Sequence, residues 1–267
     1  MGIDVHARER TFHDDWAAAI DPRDVKVIET FNASTSPEQR WLARRLGNIA
    51  GKHVLELGSG AGEGGVFFAL RGASVTATDL SPRMLEVVAR VAAHHGVGIE
   101  RRVCSAEDLS IFADASFDVV YAASLLHHVD IVRCLDEVWR VLRPGGIAAF
   151  CDPLAHNPVI NVYRRMATKV RTTDEHPLRR QDIRLFAARF RNVETEFFWL
   201  STLLVFLRFY FIDRVHPNAD RYWERLISKE PELRRIYLPL EKCDRILLKL
   251  FPFLKWWCWY VAVLVTK

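Results

Sequence analysis

The chain has 267 residues, of which 50% are apolar, and a formal net charge of +4 at pH 7. This length and apolar content indicate a globular protein, with either one large α/β domain that has an elaborated end or two small domains. The five cysteines are odd in number and form no Cys-x-x-Cys pair, which argues against a disulfide framework or a zinc site, so no metal is expected.

The N-terminal region is predicted to be helical and polar. Charged residues occur between Asp4 and Arg10, where a secretory signal would need an unbroken apolar stretch, so we expect a cytoplasmic protein. Ser36-Pro37-Glu38 predicts a helix start, because Ser is a common N-cap and Pro is favoured at the first helical position. We expect residues 1–50 to form a helical lid segment, in which Trp16 closes over the ligand site or packs in the core.

From residue 53 onward, short apolar runs alternate with amphipathic helical stretches. This alternation is typical of βαβ units around a parallel sheet. Helices are expected near 62–71, 82–95 and 131–142, and Arg143-Pro144-Gly145-Gly146 predicts a sharp helix stop and turn. We assign residues 51–152 to the ligand-binding core. Its predicted strands are His53–Leu57, Ser74–Asp79, Ile99–Val103, Phe117–Tyr121 and Ile147–Cys151.

The remainder, residues 153–267, is predicted to be an elaboration that ends the sheet. We expect a loop-rich stretch at 153–177, a helix near 179–190 and a strand near 193–200. An aromatic-rich helical insertion near 201–250 and a closing strand at Trp259–Thr266 should follow. The insertion would then lie between the last two strands of the sheet.

Charge is distributed unevenly along the chain. Residues 1–154 carry 16 Lys and Arg against 21 Asp and Glu, whereas residues 155–267 carry 21 against 12. A basic, aromatic half is compatible with nucleic acid, an anionic membrane surface or an amphiphilic substrate. The apolar runs at 197–207 and 246–265 are stopped or interrupted by charges and Pro252, so no transmembrane span is expected, while peripheral membrane contact stays open.

A glycine-rich turn follows the first predicted strand. This turn, Gly58-Ser59-Gly60-Ala61-Gly62, places backbone N–H groups and a helix N-terminus at the strand's carboxyl edge, where α/β sheets bind ligands. Asp79 ends the next strand 21 positions after Gly58, where a carboxylate can accept both hydroxyls of a ribose. A dinucleotide fingerprint would need Gly or Ala at position 63, and Glu63 therefore disfavours a nicotinamide cofactor.

Four ordered motifs across roughly residues 40–152 resemble class I S-adenosylmethionine-dependent methyltransferases. They are Glu56-Leu57-Gly58-Ser59-Gly60-Ala61-Gly62, Ala106-Glu107-Asp108-Leu109, Phe117-Asp118-Val119-Val120 and Val141-Leu142-Arg143-Pro144-Gly145-Gly146. Leu126-His127-His128-Val129 is similar to a segment of the small-molecule branch that includes ubiquinone and menaquinone biosynthesis methyltransferases. The resemblance implies an α/β, Rossmann-like seven-stranded methyltransferase sheet with helices on both faces, S-adenosylmethionine as cofactor and S-adenosylhomocysteine as product.

The resemblance also implies roles around the cofactor. Glu56 would orient the loop or reach the amino group, and Asp79 would hold the ribose hydroxyls. Met84 would flank adenine or belong to the core, and Ser105 would meet the adenine edge or only form a turn, since many relatives carry Asp there. The full predicted cofactor set is Glu56, Gly58, Ser59, Gly60, Gly62, Asp79, Leu80, Met84, Ser105, Ala106, Glu107, Ala122 and Ala123.

The methyl acceptor is expected at the carboxyl ends of the fourth and fifth strands, walled by segment 153–177. An alcohol or phenol acceptor profits from a general base, whereas carboxylates, thiolates and neutral amines can attack unaided. The predicted catalytic residues are His127, His128, Asp152 and His156, and the predicted substrate-binding residues are Trp16, Asn157, Tyr163, Arg164 and His176. The alternative for the two adjacent histidines is packing or capping of the next helix, and for Arg164 a solvated helix face.

We therefore predict a methyltransferase that acts on an O, N or S atom of a small or medium amphiphilic metabolite, such as a lipid, a quinone-like compound or a natural product. The alternative is methylation of a peptide or protein, for example a C-terminal carboxylate, which the basic half could recruit. A nicotinamide-dependent oxidoreductase and a non-catalytic cofactor-binding protein are less well supported. No nucleic-acid partner is expected, because no known RNA-binding module is visible.

Overall fold

The computed structural model describes residues 5–172 and 175–267. Its centre is a seven-stranded sheet in the order β3-β2-β1-β4-β5-β7-β6. Strands β1 to β5 run parallel, and β7 runs antiparallel to both of its neighbours. The strands are β1 (His53–Leu57), β2 (Ser74–Asp79), β3 (Glu100–Val103), β4 (Phe117–Ala123), β5 (Leu142–Pro153), β6 (Arg191–Phe198) and β7 (Tyr260–Thr266). The predicted seven-stranded α/β sheet is confirmed.

Helices cover both faces of this sheet. They are α1 (Val5–Ala19), α2 (Val27–Asn32), α3 (Pro37–Leu46), α4 (Glu63–Leu70), α5 (Pro82–His94), α6 (Ile131–Val141), α7 (Pro158–Met166), α8 (Arg180–Arg189), α9 (Leu204–Phe211), α10 (Tyr222–Ser228) and α11 (Glu230–Leu250). Short 3₁₀ helices cover Leu126–His128 and Pro252–Trp257. Helix α6 shows why such segments form: Asp130 caps its first turn, and apolar residues spaced three or four apart face the core.

Two hydrophobic cores sandwich the sheet. One packs α6 and α8 against the sheet, as in the contact of Phe150 with Phe186, and the other packs α2 to α5 against the opposite face. The N-terminal segment contributes Phe31 and Leu42 to the second core, so its described residues, 5–50, do not form a separate unit of packing. The division into segments 1–50, 51–152 and 153–267 by function stays a prediction.

The predicted insertion lies between β6 and β7 and builds a third core. Helices α9 to α11 bury Phe206, Phe209, Tyr222 and Tyr237 against aromatic residues at the strand ends. The carboxylate of Asp244 on α11 accepts hydrogen bonds from backbone groups of residues 200–202, which anchors the insertion to the end of β6. Within the described residues, no helix is long and apolar enough to cross a membrane.

The structure corrects two local predictions. Helix α6 does end at Val141, but residues 142–146 continue as the start of β5 instead of forming a sharp turn. Gly145, with φ +77°, lies at an irregularity that strand β5 tolerates because glycine has no Cβ. The stretch 153–177, predicted to be loop, contains helix α7; Asn157 caps it, and Pro158 occupies its first position.

Candidate active site

The glycine turn lies at the carboxyl end of β1. Gly58, Gly60 and Gly62 all have positive φ, which strains any residue with a Cβ. A Cβ added at Gly58 would lie 2.8 Å from Cδ1 of Leu125, so the turn also needs glycine for close packing. The Ser59 amide donates to the Thr78 carbonyl at the end of β2, which fixes the turn beside the second strand.

Asp79, at the end of β2, faces this turn. Its Oδ2 accepts from the Gly60 amide at 3.1 Å, and its Oδ1 accepts from the Ser81 amide at 2.9 Å. Burial raises the pKa of the Asp79 carboxyl, while those backbone hydrogen bonds oppose the rise. The carboxylate is thus held at the turn, in the place where a ribose would be bound in this fold.

Two further carboxylates surround the turn. Glu56, inside β1, packs directly under Gly64 and Gly65 of α4, where no Cβ would fit. Burial, together with the charges of Glu63 and Asp79, raises the pKa of Glu56 well above its usual range, and burial raises the pKa of Glu63 to about 7. The negative charges of Glu56, Glu63 and Asp79 would lie close together with little positive charge to balance them. The turn therefore fits a positively charged ligand.

The turn also retains polar atoms without protein partners. The Oε2 atom of Glu56 and the Oγ atom of Ser59 are buried and make no hydrogen bond of normal geometry to the described residues. Unpaired buried polar atoms cost free energy unless a ligand or water satisfies them. A cofactor with a sulfonium, an ammonium group and ribose hydroxyls therefore fits this edge of the sheet.

The predicted adenine side is partly corrected. Met84 is fully buried among core residues, so its side chain offers no surface to adenine. The Ser105 hydroxyl accepts from the Glu107 amide within its own turn, which supports the turn role, while the adenine contact stays a prediction. The Glu107 carboxylate accepts from the Asp130 amide at 3.0 Å. Ala106 and Ala122 are buried, so a contact from either would use its backbone, whereas Leu80 is half-buried at the edge.

A cavity of about 1190 Å³ opens at the carboxyl edge of the sheet. Its lining runs from Ala61 and Ser124, beside the glycine turn, to α7 and to α10 of the insertion. Sites for a single small ligand commonly measure about 300–1,000 Å³. The cavity therefore has room for a cofactor and a second molecule.

Helix α1 covers this cavity from the cofactor edge to the insertion. Arg10 Nε donates to the Leu80 carbonyl at 3.1 Å, which ties the helix to the end of β2. At the opposite side, the Arg221 guanidinium carbon lies 3.7 Å from the centroid of the Trp16 ring. Trp16 lines the cavity, and this geometry supports the predicted lid.

His127 and Asp152 form a buried pair at the ends of β4 and β5. His127 Nδ1 lies 2.8 Å from Asp152 Oδ1, and the His127 backbone amide donates to the same oxygen at 3.3 Å. Asp152 is 1% exposed and His127 is 6% exposed. Burial raises the pKa of Asp152 well above its usual range and lowers that of His127, because desolvation disfavours each charged form.

This pair has the arrangement of a general base. When Asp152 is ionised and accepts from Nδ1–H, the other nitrogen of the His127 ring keeps its lone pair. The ring lines the cavity, so that lone pair can accept a proton from a molecule bound there. The His128 ring lies beside His127, with centroids 4.1 Å apart and the ring planes tilted by 41°, but its Nδ1 lies 3.3 Å from Glu9 Oε1 on α1.

Among the described residues, one group of side chains has a spacing that could bind a metal ion. Potential ligand atoms of His127, His128 and Glu175 lie within 4.8 Å of one another. The Glu175 carboxylate already pairs with Arg171, and Arg164 adds a second positive charge near His127. These charges disfavour a divalent cation at the three residues.

We expect catalysis to be independent of metal. Treatment with EDTA should leave the initial rate of methyl transfer within twofold of the untreated rate. A sulfonium methyl needs no Lewis acid for activation, and the Glu175 carboxylate already forms an ion pair with Arg171. The measurement is the rate before and after chelation, with readdition of Mg²⁺ and Zn²⁺. A rate that is lost with EDTA and restored by either ion would instead assign a metal to the His127, His128 and Glu175 group.

The structure separates the remaining predicted acceptor residues into three groups. Tyr163 and Arg164 line the cavity together with Trp16. His156 and His176 are exposed and do not line the cavity, so their predicted roles are not supported. Asn157 is buried, caps α7 through the Ile160 amide and donates to the Trp257 carbonyl, which makes it structural instead of substrate-binding.

Several cavity residues were missed from the sequence. Glu38 accepts from Trp199 Nε1 at 2.8 Å, and burial raises its pKa to about 7. The Tyr260 hydroxyl lies 2.9 Å from Ser124 Oγ, and both residues line the cavity. Glu38 was interpreted only as the acidic residue of a helix start, and Tyr260 only as part of a strand. Residues 173–174, inside the predicted acceptor wall, lie outside the described part of the chain.

Comparisons with known proteins agree with the observed fold. Residues 55–150 match the family Methyltransf_11, described as a methyltransferase domain. A ubiquinone biosynthesis O-methyltransferase from Pseudomonas savastanoi pv. phaseolicola is 35% identical over 119 residues, which are 44% of this chain and 50% of the relative. The O-methyltransferase resE from Aspergillus sclerotiorum is 35% identical over 133 residues, 48% of this chain and 50% of the relative.

The fold similarity extends over nearly the whole chain. A SAM-dependent methyltransferase structure from Thermotoga maritima superposes with a TM-score of 0.58 and 15% identity, covering 97% of this chain and 99% of that chain. By sequence, the chain spans about half the length of the curated relatives it matches. Residues 55–150 therefore belong to the class I S-adenosylmethionine-dependent methyltransferase family, and the chain has the seven-stranded fold of that family.

Proposed function

We propose that this protein transfers the methyl group of S-adenosylmethionine to a small or medium amphiphilic metabolite. The observation that carries the proposal is the single cavity wall that joins the glycine turn to the His127–Asp152 pair. A cofactor bound at the turn and an acceptor bound beside His127 would meet at the carboxyl ends of β1, β4 and β5. The relatives named as O-methyltransferases support an oxygen nucleophile.

The bound cofactor supplies a methyl group that is already electrophilic, so the residues of this chain mainly hold and orient the reactants. Correct alignment and exclusion of water can contribute up to about 7–11 kcal/mol to catalysis. Asp79 and the glycine turn would fix the cofactor, and α1 would exclude water by covering the cavity. His127, oriented by Asp152, would accept the proton of an acceptor hydroxyl.

The aromatic wall supports an amphiphilic acceptor. Tyr163, Trp223 and Trp259 line the cavity beside Ile160, which gives an apolar surface for a hydrocarbon or ring system. Polar and charged groups occur on the same wall. An acceptor with both an apolar part and a polar group would contact both kinds of surface.

Peripheral membrane contact is a further part of the proposal. Phe211, Ile212 and Phe253 are 69%, 73% and 68% exposed, in α9, directly after it and in the second 3₁₀ helix. The basic residues Lys249 and Lys255 are close to Phe253 in sequence. Exposed apolar side chains near basic ones are typical of interfacial binding, which would bring the cavity to lipid-soluble acceptors.

Calorimetric titration tests the class of the protein. S-adenosylhomocysteine should bind with one site per chain, and NADH should not bind, because three carboxylates surround the turn. A catechol or phenol panel with methyl-labelled cofactor then reports transfer. Binding of NADH, or failure of S-adenosylhomocysteine to bind, would contradict the proposal.

A further inference from the structure

Arg164 is a half-buried cation for which no described residue supplies a counter-ion. It lines the cavity from α7, and no carboxylate among the described residues lies within ion-pair distance of it. Its Nη1 donates to Asn161 Oδ1 at 2.8 Å, and its Nη2 donates to the Leu154 carbonyl at 3.0 Å. A buried charge that is hydrogen-bonded only to neutral groups is costly.

A second arginine lies close to the first. Arg171 also lines the cavity, and its positive charge, after burial, lowers the pKa of Arg164 to about 10, so Arg164 is still protonated at pH 7. Glu175 pairs with Arg171 and supplies one negative charge for the two guanidinium groups. The planar guanidinium group has five N–H donors, so both arginines can bind a further oxygen anion.

Tyr163 adds a neutral donor at the same place. Its side chain is 6% exposed and lines the cavity, and Arg171 and Arg221 act electrostatically on its hydroxyl. That hydroxyl lies near the backbone of Tyr222 but makes no hydrogen bond of normal geometry. An unsatisfied buried donor beside an excess of positive charge is a site for an anionic oxygen.

We infer that the methyl acceptor carries an anionic group, a carboxylate or a phosphate, which Arg164 binds together with Arg171 and the Tyr163 hydroxyl. The inference rests on the proposed function and names its class of substrate. The anionic group would fix one end of the acceptor next to the His127–Asp152 pair, because Arg164 and Arg171 both act electrostatically on His127. The apolar part of the acceptor would lie against the aromatic wall.

Calorimetry on the protein saturated with S-adenosylhomocysteine tests this inference. The probes are decanoate, decyl phosphate and decanol, which share one alkyl chain and differ in the head group. We expect at least one anion to bind roughly tenfold to 100-fold more tightly than decanol, the range for hydrogen bonds to a charged group. Comparison of the affinities for decanoate and decyl phosphate distinguishes a carboxylate acceptor from a phosphate acceptor.

Variants of neighbouring arginines give a matched comparison. Arg164→Met should remove the preference for the anion, Arg164→Lys should keep part of it, and Arg165→Met, an exposed residue on the same helix, should leave it unchanged. If Arg164→Met does not fold, Arg171→Met serves as the second variant and should also reduce the preference.

The outcomes separate the two proposals. If S-adenosylhomocysteine does not bind, the proposed function fails. If it binds while both anions bind no better than decanol, or while Arg165→Met removes the preference as fully as Arg164→Met, the anionic acceptor is wrong and the methyltransferase proposal stands.

Discussion

Replacement of His127 by Gln should lower kcat for a hydroxyl acceptor by about 10²–10⁴-fold, the usual contribution of a general base. Asp152→Asn should have an effect of the same order, because an amide at this place no longer holds the His127 ring with its lone pair facing the cavity. The measurement is kcat for each variant, together with the dissociation constant for S-adenosylhomocysteine, which should change less than threefold.

The pH dependence gives an independent readout of the pair. The base requires an ionised Asp152 and a neutral His127, and burial raises the pKa of Asp152 while it lowers that of His127. A raised carboxyl pKa means that Asp152 ionises only at higher pH. Activity should therefore increase as the pH rises through the apparent pKa of the pair, and it should be low at pH values below that pKa. In Asp152→Asn the part of this limb that is due to Asp152 should disappear, so that only protonation of His127, whose pKa burial lowers, limits the residual activity at low pH.

His156→Gln is the control for the pair, because His156 is an exposed histidine a few residues beyond β5. Its kcat should equal that of the wild-type protein. A His127→Gln variant that keeps more than a third of the wild-type kcat would mean that the acceptor attacks without a base, as carboxylates, thiolates and neutral amines can.

Asp79→Ala should weaken the binding of S-adenosylhomocysteine by about 1.5–3 kcal/mol, roughly 10- to 150-fold, as expected for the loss of charge-assisted hydrogen bonds. The variant also removes the acceptor of the Gly60 and Ser81 amides, so the glycine turn loses its contact with the end of β2. Isothermal titration calorimetry measures the change in the dissociation constant.

Thermal unfolding distinguishes a binding effect from a folding defect in this variant. Glu86→Ala, which removes an exposed carboxylate on α5, is the control and should leave both affinity and melting temperature unchanged. If Asp79→Ala folds like the wild-type protein and binds S-adenosylhomocysteine with unchanged affinity, the assignment of the cofactor site to this edge is wrong.

Local sequence patterns were sufficient for the glycine turn and the strands beside it, but not for the predicted adenine contacts of Met84 and Ser105. The strands β1 and β2 and the turn between β1 and α4 were predicted with correct bounds, because a buried strand, a glycine turn and a helix start are determined within a few residues. Asp79 was found for the same reason, since its position at the end of the second strand follows from the βαβ pattern.

The acceptor half depends on contacts between distant parts of the chain. His127 and Asp152 were both predicted, but their pairing follows from the register of β4 and β5. Packing then determines which of the candidate histidines face the cavity. Asn157 was misassigned because the same residue type serves as a ligand contact or a helix cap, and only the structure shows the Ile160 amide at its side chain.

The sequence by itself determined the α/β sheet, the cofactor turn and the candidate base residues, because strand and helix periodicity and turn chemistry act over short ranges. Only the tertiary structure decided that α1 covers the cavity, that Arg164 has no counter-ion among the residues described, and that Glu38 and Tyr260 reach the same space. These features require segments far apart in sequence to pack together, and the burial that results is what shifts the pKa values and leaves polar groups available to a ligand.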